Sequence, residues 1–340
     1  MLPRLALILV GFVLIYFTYI GLTTLPWEGD SLAYHLPISE LIIRGKIFGP
    51  QLFSPSYFYY PATAETLLAG MLKVGLPANL FNMVGWIILF LLCRKLGGTV
   101  FAAAIVLLPS VVRLISTQTV DIWLAVFWLG SWLALVKRHP AVGLLLGLLS
   151  GTKYSGLLYA AVLWLFYSRE ISLNLILGWL VGGGFWYVRN WMWMGNPVYP
   201  ATVGIWPGDP QFKLLNWPAW MTVVRQPVHF LVSLISEFLI WPIAILATIK
   251  PQVSRLMWLA AANFGVYLIL PSWPENTLSD LRYVYPAVIP AILAVFRVWP
   301  RWAEIATFVS GLAVLTQLNY HPKLFVVYIL LVSIWSLRKS

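Results

Sequence analysis

Residues 26–61, PWEGDSLAYHLPISELIIRGKIFGPQLFSPSYFYYP, form the first long polar interruption in a chain otherwise built of apolar runs. The stretch contains the acidic residues Glu28, Asp30 and Glu40 and ends in the aromatic cluster 57–60. Acidic side chains beside a bilayer are costly, and membrane proteins that keep them usually do so for a function. We therefore expect a functional site in this stretch and a scaffold in the apolar runs around it.

The composition of the chain indicates a membrane protein. Of its 340 residues, 61% are hydrophobic and only 10% are charged, whereas a soluble domain carries roughly 25% charged residues. A soluble core cannot bury this much apolar surface, so the solvent must be lipid. No polar block is long enough for a separate soluble domain, and we expect one transmembrane domain over 1–340 with no soluble C-terminal domain.

The net charge of +11 does not indicate a nucleic-acid partner in this context. The basic residues stand in short loops between apolar runs, which is the distribution that the positive-inside rule describes. The one cysteine, Cys93, lies within an apolar run, so neither an intramolecular disulfide nor a cysteine-based metal cluster can form. Membrane lipids are the expected surroundings.

The apolar runs predict an all-α, polytopic transmembrane fold of about 12 spans with both ends in the cytoplasm. The run 62–76 is short for a span and is predicted to be re-entrant or interfacial, which keeps Arg94 and Lys95 inside. Residues 31–44 predict an amphipathic helix on the outer membrane surface. The predicted spans lie near residues 5–25, 78–93, 99–115, 122–136, 140–151, 155–168, 171–188, 229–249, 255–270, 283–298, 302–318 and 324–337.

This predicted topology separates the acidic residues from many of the basic ones. Of the 11 acidic residues, only Glu170 and Glu304 fall inside. Acidic residues contribute little to topology, so an outward-facing acidic site explains the bias better. The inner loops carry Arg94, Lys95, Lys137, Arg138, Arg169, Lys250, Arg255, Arg297, Arg301, Arg338 and Lys339.

Three acidic residues in two predicted outer loops are candidates for chemistry at the outer surface. Glu28 and Asp30, with a glycine between them, can bind a divalent cation or let one carboxylate accept a proton from a hydroxyl. Asp30 also directly precedes the predicted amphipathic helix and can cap it. Asp121 is predicted to lie on the same side of the membrane as Asp30. Its alternative role is to cap the span 122–136.

Three cationic positions at predicted outer span ends suit a phosphate group. Lys153 stands between two short apolar runs, with snorkelling to the interface as its alternative. Arg189 lies in a Trp- and Tyr-rich segment whose aromatics can stack on a sugar or form an interfacial belt. Arg282 can instead pair with Asp280 or Glu275.

A metal site is the remaining open alternative for the polar residues. Glu65 together with one of the outer histidines, such as His35, can hold a metal, but the sequence contains no H-x-x-x-H spacing that supports it. A divalent ion bound by Glu28, Asp30 and Asp121 is the other arrangement. No further cofactor is expected.

Taken together, the motifs resemble those of the GT-C superfamily of glycosyltransferases. The resemblance is to members that use lipid-phosphate sugars, such as the protein O-mannosyltransferases and the aminoarabinose transferase that modifies lipid A. The matching features run from about residue 20 to 290 and share one predicted outer face. They are the E-x-D pair at Glu28 and Asp30, the Y-H-L-P run, YYPATAE at 59–65, Asp121, GTKYSGL at 151–157, WYVRN with GNPVYP at 186–200, and RYVYP at 282–286.

The resemblance implies a reaction and its participants. The donor is a polyprenyl-phosphate sugar, and the acceptor is a lipid, glycan or protein hydroxyl at the outer face of a bacterial inner membrane. Asp30 acts as base or positions the acceptor for inversion at the anomeric carbon, with Glu28 and Asp121 in support. Lys153, Arg189 and Arg282 neutralise the phosphate leaving group. Substrate-binding residues are Tyr34, His35, Tyr60, Glu65, Asn190, Asn196, Tyr199 and Tyr283.

Two other classes of protein stay open. A transporter or flippase of lipid-linked sugars also needs cations and aromatic residues, but it places ionisable groups at mid-bilayer and shows internal repeats, of which we see no clear example. An O-antigen polymerase or ligase uses a polyprenyl diphosphate donor and relies on outer-loop arginines and a histidine. Asp30→Asn separates these alternatives, because it abolishes a base-dependent transferase and spares a flippase.

Overall fold

The computed structural model describes residues 2–49, 56–167, 170–210, 217–246, 248, 250–272 and 280–317. Over these residues, helices dominate, and the strands β1 (Trp217–Pro218) and β2 (Pro271–Ser272) make one short antiparallel pair. The helices are α1 (Leu2–Thr23), α2 (Leu36–Ile43), α3 (Thr63–Lys73), α4 (Phe81–Val106), α5 (Pro109–Val112), α6 (Asp121–Val136), α7 (Val142–Thr152), α8 (Tyr154–Tyr167), α9 (Leu173–Trp179), α10 (Phe185–Met194), α11 (Ala219–Arg225), α12 (Pro227–Phe238), α13 (Trp241–Leu246), α14 (Ser254–Ile269), α15 (Tyr285–Val298) and α16 (Pro300–Gln317). The predicted last span, near 324–337, lies outside the described residues.

Several helices are apolar enough to lie in a membrane. Among the described residues, Arg4–Thr23, Ala78–Val106 and Leu281–Val298 have the length and composition needed to cross one. The predicted helical class is thus confirmed, and these three helices are long and apolar enough to span a membrane. Shorter apolar helices are α6, α7, α8 and α12.

Helix α4 reverses direction at Gly98, whose φ of 85° and ψ of 179° are not helical. Trp86 Nε1 donates a hydrogen bond to the carbonyl of Val106 over 2.9 Å. In a straight helix the 20-residue separation of this pair would amount to about 30 Å, so the chain must fold back on itself. The predicted runs 78–93 and 99–115 correspond to the two arms of this hairpin.

The loops before α4 and α6 meet the end of α1 at one end of the bundle. Asn79 Nδ2 donates to the carbonyl of Thr24 over 2.9 Å, and Gln118 Nε2 donates to Asn79 Oδ1 over 2.8 Å. The backbone N–H of Gln118 donates to Ser31 Oγ over 2.9 Å. These bonds tie the segment around Ser31 to the helix ends, and we call this part of the molecule the site end.

The other end of the helices is basic, and we call it the basic end. Arg255 Nη2 donates to the carbonyl of Phe166 at the end of α8, and Lys250 Nζ lies 4.1 Å from the ring centroid of Trp299. A cavity of about 340 Å³ at this end includes Glu170 in its wall. The described basic side chains at this end are exposed: Arg94, Lys95, Lys137, Arg138, Lys250, Arg255, Arg297 and Arg301.

Helix α6 is the central helix and carries Asp121 at its first position. Leu124 and Trp128 are fully buried, and α6 packs against α4, α7 and α8. Because α6 is buried on all sides, its sequence is continuously apolar and has no polar face. Asp121 consequently lies within the bundle at the site end.

Helix α7 packs closely against the segment from α9 into the π-helical turn Leu180–Gly184. Glycines at 143, 147 and 151 lie one turn apart on the contacting face, and a Cβ at Gly147 would collide with the carbonyl oxygen of Trp179. Small residues at this spacing let helices approach closely in a membrane. The contact fixes the end of α7, where Lys153 follows.

The predicted amphipathic helix after Asp30 is present. A π-helical turn, Ser31–His35, continues into α2, which packs on α3 and buries Ile38 and Ser39. Helix α3 has 11 residues and is therefore about 16 Å long, too short to cross a bilayer as a span. The predicted re-entrant or interfacial nature of the run 62–76 fits this length.

Candidate functional site

A cavity of about 470 Å³ opens at the site end and brings distant sequence motifs together. It joins the E-x-D pair, the aromatic cluster 57–60, GTKYSGL and RYVYP, which the sequence placed on one predicted face. The lining residues are Glu28, Gly29, Asp30, Tyr34, Tyr57, Tyr60, Lys153, Tyr154, Ser155, Leu270, Pro271, Asp280, Arg282 and Tyr283.

Two carboxylates and two cations form a connected group at this cavity, which we call the charge quartet: Asp30, Asp121, Lys153 and Arg282. Arg282 Nη2 donates to Asp30 Oδ2 over 2.6 Å. Arg282 Nε lies 3.3 Å from Asp121 Oδ2 without hydrogen-bond alignment, and Lys153 Nζ donates to Asp121 Oδ1 over 3.3 Å. The formal charges of the quartet sum to zero.

The four members of the charge quartet differ in their access to solvent. The side chain of Asp121 is 1% exposed and that of Arg282 is 7% exposed, whereas Lys153 is 19% exposed and Asp30 is 38% exposed. Asp121 therefore forms the buried base of the quartet. Asp30 is the carboxylate that an incoming molecule can reach.

Glu28, and not Asp30, caps the helix that begins at Gly29. Its Oε1 accepts from the backbone N–H of Asp30 over 3.1 Å, and its Oε2 accepts from the N–H and the hydroxyl of Ser31 over 2.7 and 2.6 Å. Asp30 has helical dihedral angles and makes no cap bond. The predicted capping role of Asp30 is therefore wrong, because Glu28 already satisfies the free N–H groups of the first turn.

The capping alternative for Asp121 is also wrong. Asp121 is the first residue of α6, the residue before it is Val120, and no side chain caps this helix. The carboxylate of Asp121 is instead directed to Lys153 and Arg282. A buried carboxylate needs such partners, since an unpaired charge would be costly there.

Lys153 lies at a break between α7 and α8 and points inward. Its backbone is extended, with φ −164° and ψ 155°, and its ammonium lies 3.9 Å from the ring centroid of Tyr283. Snorkelling to an interface does not describe this position. Burial is the largest influence on the pKa of Lys153 and lowers it, but the attraction of Asp121 and the contact with Tyr283 together outweigh burial, so the pKa lies above its usual value and the ammonium stays charged.

Tyrosine side chains form much of the cavity wall. The ring centroids of Tyr34 and Tyr57 are 5.5 Å apart, and those of Tyr60 and Tyr154 are 5.8 Å apart. Burial raises the pKa of Tyr34 well above its usual value and raises the pKa of Tyr60, so both hydroxyls stay protonated. Such groups offer ring faces and hydroxyls that can donate or accept, a combination that suits a sugar.

Arg189 does not line the cavity, contrary to its predicted role as a phosphate clamp. Its side chain is buried, and Nη2 donates to the carbonyls of Tyr59 and Tyr60 over 2.8 and 3.3 Å. Burial lowers the pKa of Arg189 to about 10, which leaves it charged at neutral pH. Arg189 holds the backbone from which Tyr60 reaches the cavity.

Three other predicted substrate-binding residues lie behind the cavity wall. Asn190 Nδ2 donates to Tyr154 Oη over 2.8 Å, and Tyr154 Oη in turn donates to the carbonyl of Tyr199. Asn196 bonds to backbone groups of its own loop, among them the carbonyl of Ala201 at 2.8 Å. These residues support the wall and do not line the cavity.

His35 and Glu65 form a buried pair beside the site. His35 Nδ1 and Glu65 Oε1 are 2.7 Å apart, and each side chain is 3% exposed. The His35 ring lies 4.1 Å from the ring of Tyr34, measured between centroids. Neither residue lines the cavity, so their predicted direct contact with substrate is not supported by their placement, whereas Tyr34, Tyr60 and Tyr283 do line it.

The residues suggested for a divalent metal do not suit one in this arrangement. Both oxygens of Glu28 accept hydrogen bonds from the helix start, and Asp30 and Asp121 are each within ion-pair distance of Arg282. A divalent ion there would have to lie beside a guanidinium, where like charges repel. No cluster of three or more His, Cys, Asp or Glu side chains able to hold a metal occurs among the described residues.

Some cavity residues were not predicted. Tyr57, Tyr154, Ser155 and Asp280 line the cavity. Tyr154 and Ser155 belong to the GTKYSGL motif, and the aromatic cluster 57–60 includes Tyr57, so their motifs were recognised but the residues were not singled out. Asp280 was considered only as a partner for Arg282; Arg282 lies within ion-pair distance of Asp30 and Asp121, and Glu275, the other predicted partner, lies outside the described residues.

Comparison with protein-family models, with curated proteins and with solved structures finds no match for this chain. The cavity is therefore the feature that indicates a function. Its chemical content is an accessible carboxylate, two cations held in place by a buried carboxylate, and a wall of tyrosines.

Proposed function

We propose that the protein transfers a sugar from a polyprenyl-phosphate donor to a hydroxyl group, as a membrane glycosyltransferase of the GT-C type. The observation that carries the proposal is the charge quartet at the tyrosine-lined cavity. It sets Asp30, a carboxylate open to solvent, beside two cations that suit a phosphate. Glycosyl transfer from a lipid phosphate needs both kinds of group within reach of each other.

Asp30 is the proposed base. The acceptor oxygen attacks the anomeric carbon and forms a new glycosidic bond, while its proton passes to the Asp30 carboxylate. The bond between the anomeric carbon and the phosphate oxygen breaks, and the phosphate keeps the electron pair. A single displacement of this kind inverts the anomeric configuration. An exposure of 38% for Asp30 gives the acceptor access to it.

Lys153 and Arg282 are the proposed phosphate-binding cations. Both line the cavity, and both are held by the buried Asp121. Cations fixed before the reaction stabilise charge that develops on the leaving oxygens without reorganising. Lys153 remains charged because its pKa lies above the usual value.

The tyrosines are the proposed sugar-binding wall. Tyr34, Tyr60 and Tyr283 present rings and hydroxyls to the cavity. A volume of about 470 Å³ lies in the range of small-molecule sites. This supports a donor with a small glycan at the reacting position, and the acceptor can be a lipid, glycan or protein hydroxyl.

We place the site end outside a bacterial inner membrane, in a fold of about 12 spans. The support is the exposed basic side chains at the opposite end, among them Arg94, Lys137 and Arg301. The positive-inside rule puts such residues in the cytoplasm. Donor lipid then reaches the cavity laterally from the outer leaflet.

A donor panel tests the proposal. Purified protein is incubated in detergent with sugar-labelled polyprenyl-phosphate donors and a cell-envelope extract as acceptor. We expect one donor to yield free polyprenyl phosphate and labelled acceptor, because the glycosyl–phosphate bond breaks. A donor that crosses a proteoliposome membrane intact, with no bond cleavage by any donor tested, would instead identify a flippase.

A further inference from the structure

The contact between Arg282 and Asp30 has a consequence for the order of events at the site. In this structure Arg282, a proposed phosphate-binding cation, donates a hydrogen bond of 2.6 Å to Asp30, the proposed base. While Arg282 Nη2 donates to Asp30 Oδ2, that carboxylate oxygen is engaged and is not free to receive an acceptor hydroxyl. Arg282 likewise cannot offer that N–H group to a phosphate.

We propose that the Arg282–Asp30 ion pair is a lock that the donor phosphate opens by replacing Asp30 on Arg282. The inference rests on the proposed function and adds its regulation. Donor binding comes first, and it releases the base only when a sugar is in place. Without a donor in the cavity, Asp30 stays paired with Arg282.

The difference in burial decides which carboxylate leaves Arg282. Asp121 is 1% exposed and would lose its partners in a place that water does not reach. Asp30 is 38% exposed, so water can solvate it as soon as the pair opens. Separating Arg282 from the fully buried Asp121 therefore costs more than separating it from the partly exposed Asp30.

The remaining contacts keep the cations in position during the exchange. Lys153 is held by Asp121 over 3.3 Å, and Arg282 Nε lies at the same distance from Asp121. Arg282 can therefore turn one N–H group from Asp30 to a phosphate oxygen while its other side stays beside Asp121. Glu28 fixes the backbone of Asp30 through the helix cap, so the released carboxylate stays at the cavity.

The charge quartet is neutral, so a bound phosphodiester brings the site to a net charge of −1, and the released Asp30 carboxylate is accessible to water. The product, a phosphate monoester, carries more negative charge. After transfer, Asp30 holds the proton from the acceptor hydroxyl. Once Asp30 has given this proton to water, its carboxylate can pair with Arg282 again and assist release of the product lipid.

The test is a binding measurement that needs no turnover. The affinity of purified protein for polyprenyl phosphate is measured by calorimetry in detergent, with the matching polyprenyl alcohol as reference. Asp30→Asn removes the competitor for Arg282, so we expect phosphate binding to tighten roughly tenfold, a usual size for coupling between two ligands. Glu40→Gln is the matched control, because it removes an exposed carboxylate from the same helical segment, and we expect it to leave affinity unchanged.

Other outcomes separate this inference from the proposed function. Unchanged or weaker phosphate binding by folded Asp30→Asn, with wild-type transferase activity demonstrated, would overturn the lock and leave the function standing. Wild-type protein that binds the phosphate no better than the alcohol would contradict both. Asp30→Ser repeats the test with a smaller side chain in case the asparagine variant fails to fold, and it must tighten binding in the same direction.

Discussion

The site end and the basic end both hold several charged side chains, but they handle them in opposite ways. At the site end, Asp121 and Arg282 are at least nine-tenths buried and are paired with other charged groups. At the basic end, residues such as Arg94, Lys137 and Arg297 are exposed to solvent. Net charge alone therefore does not mark the functional region of this protein.

Burial determines which of these charged side chains have a fixed position. An exposed cation can be solvated anywhere and contributes mainly to topology or lipid contact. A buried cation needs a specific partner, and its position is fixed by that partner. The charge quartet is thus a structural arrangement as well as a proposed catalytic one, and substitutions at the two ends should differ in kind.

Of the substitutions considered, Asp121→Asn should cause the largest loss of stability, and it tests the difference between the two ends. It leaves Lys153 and Arg282 with less compensating charge within the bundle, and breaking a buried pair costs about 3–5 kcal/mol of unfolding free energy. Thermal or denaturant unfolding in detergent measures the loss. Glu170→Gln, at an exposed acid of the basic end, should change stability by less than about 0.5 kcal/mol. Equal losses in both variants would contradict the assigned difference between the ends.

Arg282→Gln should reduce turnover strongly. It removes a cation from the proposed leaving-group site, and loss of one such group typically lowers the rate by about 10²–10³-fold. Arg297→Gln is the control, because Arg297 is exposed near the other end of the helical segment Leu281–Val298. Steady-state transfer assays should show a loss only for Arg282→Gln. A similar loss in both would show that helix stability, rather than charge at the cavity, is being measured.

Arg189→Gln should have a moderate effect on stability and a secondary effect on donor binding. Two backbone carbonyls, those of Tyr59 and Tyr60, lose a charged donor, and unmet buried hydrogen bonds cost about 1–3 kcal/mol. The Michaelis constant for the donor should rise as Tyr60 loosens, with a smaller change in the catalytic constant. A collapse of the catalytic constant at unchanged Michaelis constant would instead favour direct contact with the leaving phosphate.

The pH dependence of donor binding should show no titration of Lys153 between about pH 7 and 9. Burial lowers the pKa of Lys153, but Asp121 and Tyr283 together hold it above its usual value. A raised pKa means that the charged form, and its contribution to stability, is fully present below the ordinary lysine pKa and is lost only as pH rises through the folded-state pKa. Lys153→Arg serves as control in the binding titration. A fall in wild-type affinity within this range that is absent in Lys153→Arg would contradict the assignment.

Much of the cavity could be predicted because its residues sit at the ends of apolar runs. Asp30, Lys153 and Arg282 each interrupt or flank an apolar segment, and alternating spans return such positions to one end of a bundle. The same logic places Tyr60 and Tyr283 there, and all five line the cavity. Hydrophobic patterning determines at which end of the bundle a polar residue lies, and this can be predicted from the sequence alone.

The partners within the site could not be predicted in this way. By residue type Asp30 is the better N-cap, and only the path of the helix start decides that Glu28 accepts the N–H groups instead. Arg189 has the sequence context of a phosphate ligand, yet it bonds backbone carbonyls 129 and 130 positions earlier in the chain. Such pairings depend on distances between helices, which periodicity does not encode.

The most direct test of the account compares the transfer rates of wild-type protein, Asp30→Asn and Glu40→Gln with the donor that the panel identifies. Loss of the proposed base should lower the rate by about 10²–10⁴-fold, while Asp30→Asn still binds polyprenyl phosphate and Glu40→Gln keeps the wild-type rate. Transfer by folded Asp30→Asn at the wild-type rate would contradict the account, because the carboxylate open to the cavity would then have no part in the reaction.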